Sequence, residues 1–225
     1  MIYSKQNGPG LTLENLFPFE LDKFQQEAIA ALDAGKSVVV CAPTGSGKTL
    51  IGEYAIYRAL SQGRRVFYTT PLKALSNQKL RDFKNQFGDE MVGLVTGDVS
   101  YHRDAPILVM TTEIFRNMLY GTPIGEIGTS LEGVEAVVLD ECHYMNDRQR
   151  GTVWEESIVY CPSGIQLLAL SATVANSDRL TDWIAKVHGP TELIHSDFRP
   201  VPLQYNFCNA KGLFPLLDKS QKKIN

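Results

Sequence analysis

Residues 37–50 read SVVVCAPTGSGKTL, an apolar run leading at once into a loop that holds two glycines and a lysine. The run shows no alternation of apolar and polar residues, the pattern of a strand buried on both faces, as in a parallel sheet covered by helices. The loop, Ala42 to Thr49, matches a phosphate-binding loop. Thr44, Gly45, Ser46 and Gly47 offer backbone N–H groups with little side-chain bulk, and the helix beginning near Lys48 presents its positive end to an anion. Lys48 would reach the outer phosphates of a bound nucleotide, and the Thr49 hydroxyl would hold Mg²⁺. A glycine-rich turn with an incidental lysine is the plain alternative, and the buried strand before it and amphipathic helix after it argue against that.

Outward from this loop the same grammar repeats. Apolar runs recur as RVFYTT (65–70), PILVMTT (106–112), VEAVVLDE (134–141), IQLLALSAT (165–173) and ELIH (192–195). Between them lie amphipathic segments with helix punctuation: two end on Gly63 and Gly88, and a third starts at Asn176 or Ser177 with Leu180, Trp183, Ile184 and Val187 on one face. This alternation predicts an α/β domain with a doubly wound, mostly parallel sheet flanked by helices. Residues 119–135, rich in glycine, read as a loop, and from Phe198 the text turns proline-bearing, briefly strand-like and then polar, as a linker does.

In such a sheet the strand ends share one edge. Asp140 and Glu141 close one apolar run and would face the phosphate loop, Asp140 organising Mg²⁺, in part through water, and Glu141 orienting and deprotonating an attacking water. A solvated pair of acids at a turn is the alternative. Ser171 and Thr173 close another run, where a turn capping the next helix is the plainer reading from spacing alone.

The totals bound the rest. A chain of 225 residues, 44% hydrophobic and 21% charged, is long enough for one large domain, and a net charge of -3 gives no global basic signal for nucleic acid. The four cysteines are widely spaced without a C-x-x-C pair, which argues against a zinc site or a disulfide framework. No secretory leader and no apolar stretch near the ~20 residues of a membrane span is visible, so a cytoplasmic, monomeric protein with no membrane partner is expected.

APTGSGKT, DECH and SAT, in this order, resemble motifs I, II and III of superfamily-two helicases of the DExH type. FELDKFQQEAI (19–29), TTPLKALSNQK (69–79), TGD (96–98), TTEIFRNMLY (111–120), HYMNDRQRGTVWEE (143–156) and FRPVPL (198–203) are similar to superkiller-like DExH RNA helicases, and the acid-box region resembles the cyanobacterial and chloroplast branch. Cys142 stands where the family more often has valine or isoleucine.

The resemblance implies a RecA-like P-loop domain over residues 19–197, preceded by an extension (1–18) and followed by a linker (198–225) to a second RecA-like domain. It implies ATP and Mg²⁺ as ligands, with Phe19 stacking on adenine and Gln25 bonding its edge. His143, Ser171 and Thr173 would couple hydrolysis to movement. Pro71, Lys73, Ser76, Gly97, Asp98, Thr111, Thr112 and Glu113 would line the path of single-stranded RNA, chiefly at its backbone. The family's arginine finger sits in the second domain, and no QxxGRxGR block occurs here, so Arg148 and Arg150 are expected to be structural and unaided turnover weak. A DNA helicase or translocase, and a non-catalytic nucleotide-binding scaffold, remain the alternatives.

Overall fold

A computed structural model describes residues 12–120 and 131–217. In chain order the elements are α1 (Leu13–Leu16), α2 (Lys23–Asp33), β1 (Ser37–Cys41), α3 (Thr49–Ser61), β2 (Arg65–Thr70), α4 (Lys73–Phe87), β3 (Val92–Val95), β4 (Ser100–Tyr101) and β5 (Ile107–Thr111). The second half carries α5 (Thr112–Leu119), β6 (Val134–Leu139), α6 (Gly151–Tyr160), β7 (Gln166–Ser171), α7 (Ser177–Val187), β8 (Thr191–His195), β9 (Asn206–Asn209) and β10 (Gly212–Pro215).

Eight strands form one sheet in the order β4-β3-β5-β2-β6-β7-β1-β8, and every pairing is parallel except β3 with β4. The fold is the expected RecA-like arrangement. Each of the six apolar runs is a strand, and the expected helix caps hold: Gly63 and Gly88 take positive φ after α3 and α4, and Asn176 precedes α7. Val187 departs from its expected buried stripe and is 39% exposed, because α7 turns Ile184, Leu180 and Trp183 to the sheet instead.

Because successive strand side chains point to opposite faces, the apolar runs feed two cores. Val38 and Val40 of β1 join Tyr68, Val138, Leu168 and Leu170 under α2, α3 and α4. Val39 and Cys41 join Phe67, Val137, Leu139 and Ala169 under α5, α6 and α7. Phe17 is buried in the first core, so part of the expected extension packs on the domain. The β9–β10 hairpin lies in the expected linker, its strands exposed throughout.

Two features hold the turn after β6. Gly151 opens α6 with its Cα so near Met145 that an added Cβ would sit 2.2 Å from the Met145 carbonyl oxygen. Trp154, fully buried, stacks near Tyr144 of the 3-10 turn Cys142–Asn146 with ring centroids 6.2 Å apart. Trp154→Ala removes that packing and is expected to lower the unfolding free energy by about 3–5 kcal/mol, read from urea denaturation at unchanged m-value.

Candidate active site

The sheet order places the carboxyl ends of β2, β6, β7 and β1 side by side, and the backbone ties them together. Asp140 N–H donates to Thr69 O at 3.0 Å, Ala42 N–H to Ser171 O at 3.2 Å, and Ser196 N–H to Cys41 O at 2.9 Å. The ends of five strands, β8 included, therefore converge on one edge, where parallel α/β sheets bind ligands.

The phosphate loop leaves β1 with Gly45 and Gly47 at φ +83° and +89°, conformations that side-chain-bearing residues rarely adopt. Ser46 is buried and its Oγ has no hydrogen-bond partner among the described residues. Lys48 folds back over the loop, its ammonium donating to the carbonyls of Ala42 (2.6 Å) and Pro43 (2.9 Å). Burial pushes the Lys48 pKa down, while the carboxylates of Glu141 and Asp140 oppose that shift. Gln25, 5% exposed, clasps the loop from α2: its Nε2 donates to Gly47 O at 3.2 Å and its Oε1 accepts from Asp22 N–H at 2.9 Å. Phe19 is exposed, on the rim of a cavity of about 600 Å³ lined by Leu13, Phe17, Leu21 and Gln26. Arg199 donates to Thr44 O at 3.0 Å, so the FRPVPL segment also touches the loop.

Asp140 is nearly buried and held from both sides. Its Oδ2 accepts from Tyr68 Oη at 2.8 Å and its Oδ1 from Glu141 N–H at 2.9 Å. Lys79 brings its ammonium to 3.8 Å from Asp140 Oδ2 and donates to Thr49 Oγ1 at 3.3 Å. Burial, and then the negative charge of Asp140, push the Tyr68 pKa well above its ordinary value, so the phenol stays a donor. Glu141 sits in the left-handed region at φ +53°, ψ +42°, a strained choice for a residue with a side chain. His143 Nδ1 lies 3.4 Å from Glu141 Oε2 and accepts from Ala172 N–H at 3.4 Å. The acid box thus meets the SAT segment at the Ala172 backbone. Ser171 is buried and donates to Ala172 O at 2.8 Å, and Thr173 is exposed. Cys142 is fully buried, as a small residue at that position should be, and burial raises its thiol to about 12.

The residues expected along the nucleic-acid path divide into two kinds. Lys73, Gly97 and Asp98 are exposed together, Lys73 paired with Asp98. Ser76, Thr111 and Thr112 are buried: Ser76 Oγ lies 2.7 Å from Thr70 Oγ1, and Thr112 donates to Thr70 O at 3.2 Å. Their side chains brace the loops from beneath. Glu113 and Pro71 are joined by Arg150, whose Nε donates to Glu113 Oε1 at 3.1 Å and whose Nη2 donates to Pro71 O at 2.8 Å. This arginine is committed to structure within its own domain, as expected, and Arg148 is exposed.

Sequence reasoning missed Tyr68, Lys79, Ala172 and Arg199. A tyrosine in an otherwise apolar run was a faint signal for Tyr68, since a buried phenol needs a partner. The others carry none without the fold.

Residues 22–180 match the family described as DEAD/DEAH box helicase. The chain belongs to that family. The helicase domain is 55% identical over 214 residues to the chloroplastic DExH-box ATP-dependent RNA helicase DExH15 of Arabidopsis thaliana, covering 95% of this chain and 18% of that protein. It is 45% identical over 208 residues to the antiviral helicase SKI2 of Saccharomyces cerevisiae, covering 92% of this chain and 16% of that protein. The resemblance to superkiller-like DExH helicases is borne out, and the chain spans about a fifth of the length of the curated relatives it matches.

Among solved structures, the Mycobacterium smegmatis helicase Lhr bound to ssDNA and AMP-PNP aligns with TM-score 0.62 and 25% identity, covering 77% of this chain and 25% of that one. The DUF1998 helicase MrfA bound to DNA and AMPPNP aligns with TM-score 0.68 at 22% identity, covering 84% of this chain and 29% of that one, and shares the fold. Among the described residues no helix is long and apolar enough to cross a membrane.

The strain at Glu141 and the buried phenol of Tyr68 each have a measurable consequence. Glu141→Gly relieves the left-handed strain and is expected to raise the unfolding free energy by about 1 kcal/mol in chemical denaturation. For Tyr68, a folded pKa above the unfolded value of about 10 means its contribution is complete below that pH and is lost above it. Melting curves of the wild type should therefore fall relative to Tyr68→Phe as pH rises past about 10, with a constant difference below it.

Proposed function

We propose that this helicase domain is the first motor domain of an ATP-dependent RNA helicase, with residues 19–197 binding ATP and Mg²⁺ and residues 198–225 leading towards a second RecA-like domain. The observation that carries the reading is the convergence of Lys48, Thr49, Asp140 and Glu141 on one sheet edge, with His143 linking that edge to Ala172.

The residues fit a nucleotide. The loop takes left-handed backbone at Gly45 and Gly47 with open space beside Gly45, Ser46 Oγ has no partner among the described residues, and Lys48 rests on neutral carbonyls, which a phosphate would displace electrostatically. A hydroxyl and a carboxylate, as Thr49 and Asp140 provide, are the oxygen donors Mg²⁺ takes. Bound Mg²⁺ would neutralise charge developing on phosphate oxygens. Tyr68 holds Asp140 oriented through its hydrogen bond. Glu141 is aimed by its strained backbone and faces His143; in the reaction it would accept a proton from the attacking water. Phe19 would stack on adenine and Gln25, which fixes the loop against α2, would bond its edge.

For the nucleic acid, Lys73 with Gly97 and Asp98 form the exposed contact, and Pro71, Thr111 and Glu113 shape the loops behind it. RNA is preferred because two Arabidopsis thaliana relatives at 55% and 50% identity, DExH15 and DExH9, are named RNA helicases, whereas Lhr, at 25%, was solved on ssDNA.

The test combines binding of a fluorescent ATP analogue with turnover in Mg²⁺, with and without single-stranded RNA or DNA of one sequence. Lys48→Ala is expected to abolish nucleotide binding, and Glu141→Gln to keep binding while losing hydrolysis. Turnover by this chain should stay near background, since a missing arginine finger costs about 10³–10⁵ in rate. Vigorous RNA-stimulated turnover would overturn the need for a second domain. Stimulation by DNA in preference to RNA, in a protein carrying both domains, would make it a DNA translocase, and unchanged behaviour of both variants would make it a scaffold.

A further inference from the structure

Lys79 projects from α4 into the gap between Thr49 and Asp140. Its ammonium donates to Thr49 Oγ1 at 3.3 Å and lies 3.8 Å from Asp140 Oδ2. The side chain is only 15% exposed, and Nζ sits 5.4 Å and 5.9 Å from the ring centroids of Tyr68 and Phe83, so aromatic faces support the charge from the buried side. Asp140 is 14% exposed and bears a negative charge that needs a cationic or donor partner at that depth. These two oxygens are the ones the proposed function gives to Mg²⁺.

We propose that Lys79 is the resident counter-cation of the metal position, holding Thr49 and Asp140 in place until Mg²⁺ displaces it from them. The inference rests on the ATP reading of the site. Two cations cannot share the same pair of oxygens at contact distance without strong mutual repulsion, so metal entry and the Lys79 contacts exclude one another. Lys79 is a positioning residue: it preorganises the two oxygens while raising the Mg²⁺ concentration needed to occupy them. The faces of Tyr68 and Phe83, 5.4 Å and 5.9 Å from Nζ, give the ammonium a place to withdraw to.

Lys79→Met keeps an unbranched apolar chain on Tyr68 and Phe83 and removes the charge; Lys79→Arg keeps the charge. The readout is the half-saturating Mg²⁺ concentration for binding a fluorescent ADP analogue to metal-stripped protein. It is expected to fall about fivefold or more in Lys79→Met, the size of a partly buried ion pair, and to stay near wild type in Lys79→Arg. Without metal or nucleotide, Lys79→Met should melt below the wild type, and the deficit should close when both are added.

An unchanged half-saturating Mg²⁺ concentration overturns the inference, and a higher one would mean that the ammonium assists nucleotide binding instead of competing with the metal. If Lys79→Met fails to fold by circular dichroism, Lys79→Gln compared with Lys79→Arg decides by the same readout. Failure of the wild type to bind the probe at any Mg²⁺ concentration would sink the ATP reading itself, and this inference with it, whereas normal wild-type binding lost in Lys48→Ala confines any failure to Lys79.

Discussion

Strand β1 is buried on both faces and both edges, and that burial organises the domain. Its backbone groups must all be paired, and they are: β7 takes one edge from Val38 to Cys41, and β8 takes the other from Ser37 to Cys41. With the strand locked in register, the chain can leave only at the sheet edge where β7 also ends. Ala42 bonded to Ser171, and Cys41 bonded to Ser196, staple three separate segments of sequence around the start of the phosphate loop. A slip of one residue would carry Val38 and Val40 into the other core and remove the loop from its neighbours.

Lys48 and Asp140 are matched within the protein, neither irreversibly. Lys48 rests on carbonyls, Asp140 on a phenol and an ammonium, and Glu141 beside an imidazole. Groups at this depth would be costly if left bare, since lost hydration must be replaced. The carbonyls and the phenol are neutral and the Lys79 ammonium stands 3.8 Å from Asp140, so a polyanion and a dication would compete with them. Strain concentrates in the same place: Glu141 is one of two non-glycine residues with positive φ among the described residues, and it is the one at the site.

Rigid connections run from this edge to the loops expected to meet nucleic acid. Arg150, set by the close packing of Gly151 on Met145, reaches from the turn after the acid box to Glu113 and Pro71. The buried Ser76 and Thr112 hydroxyls fix the same loops on Thr70, the last residue of β2. The chain thus holds Asp140 and its outer loops on one scaffold, through buried side-chain contacts.

The sequence alone determined the class of fold, the six long strands, the caps at Gly63, Gly88 and Asn176, and the phosphate loop with its acid box. Each of these is local: a strand buried on both faces must be continuously apolar, a helix end needs its cap, and a loop wrapping phosphate needs glycine. Strands β3 and β4 escaped notice because Val92–Val95 is short and Ser100–Tyr101 is an exposed edge pair that carries almost no pattern. Only the tertiary structure decided the rest. Which residues of an expected nucleic-acid block are exposed, as Lys73 is, and which are buried, as Ser76 is, depends on the roll of α4 against the sheet. Lys79 meets Thr49 across 30 residues and Asp140 across the order β2-β6, and Ala172 meets His143 across the order β6-β7. Contacts between strand ends are set by the order of the strands, and strand order is fixed by how two cores pack on opposite faces of one sheet, which no single segment encodes.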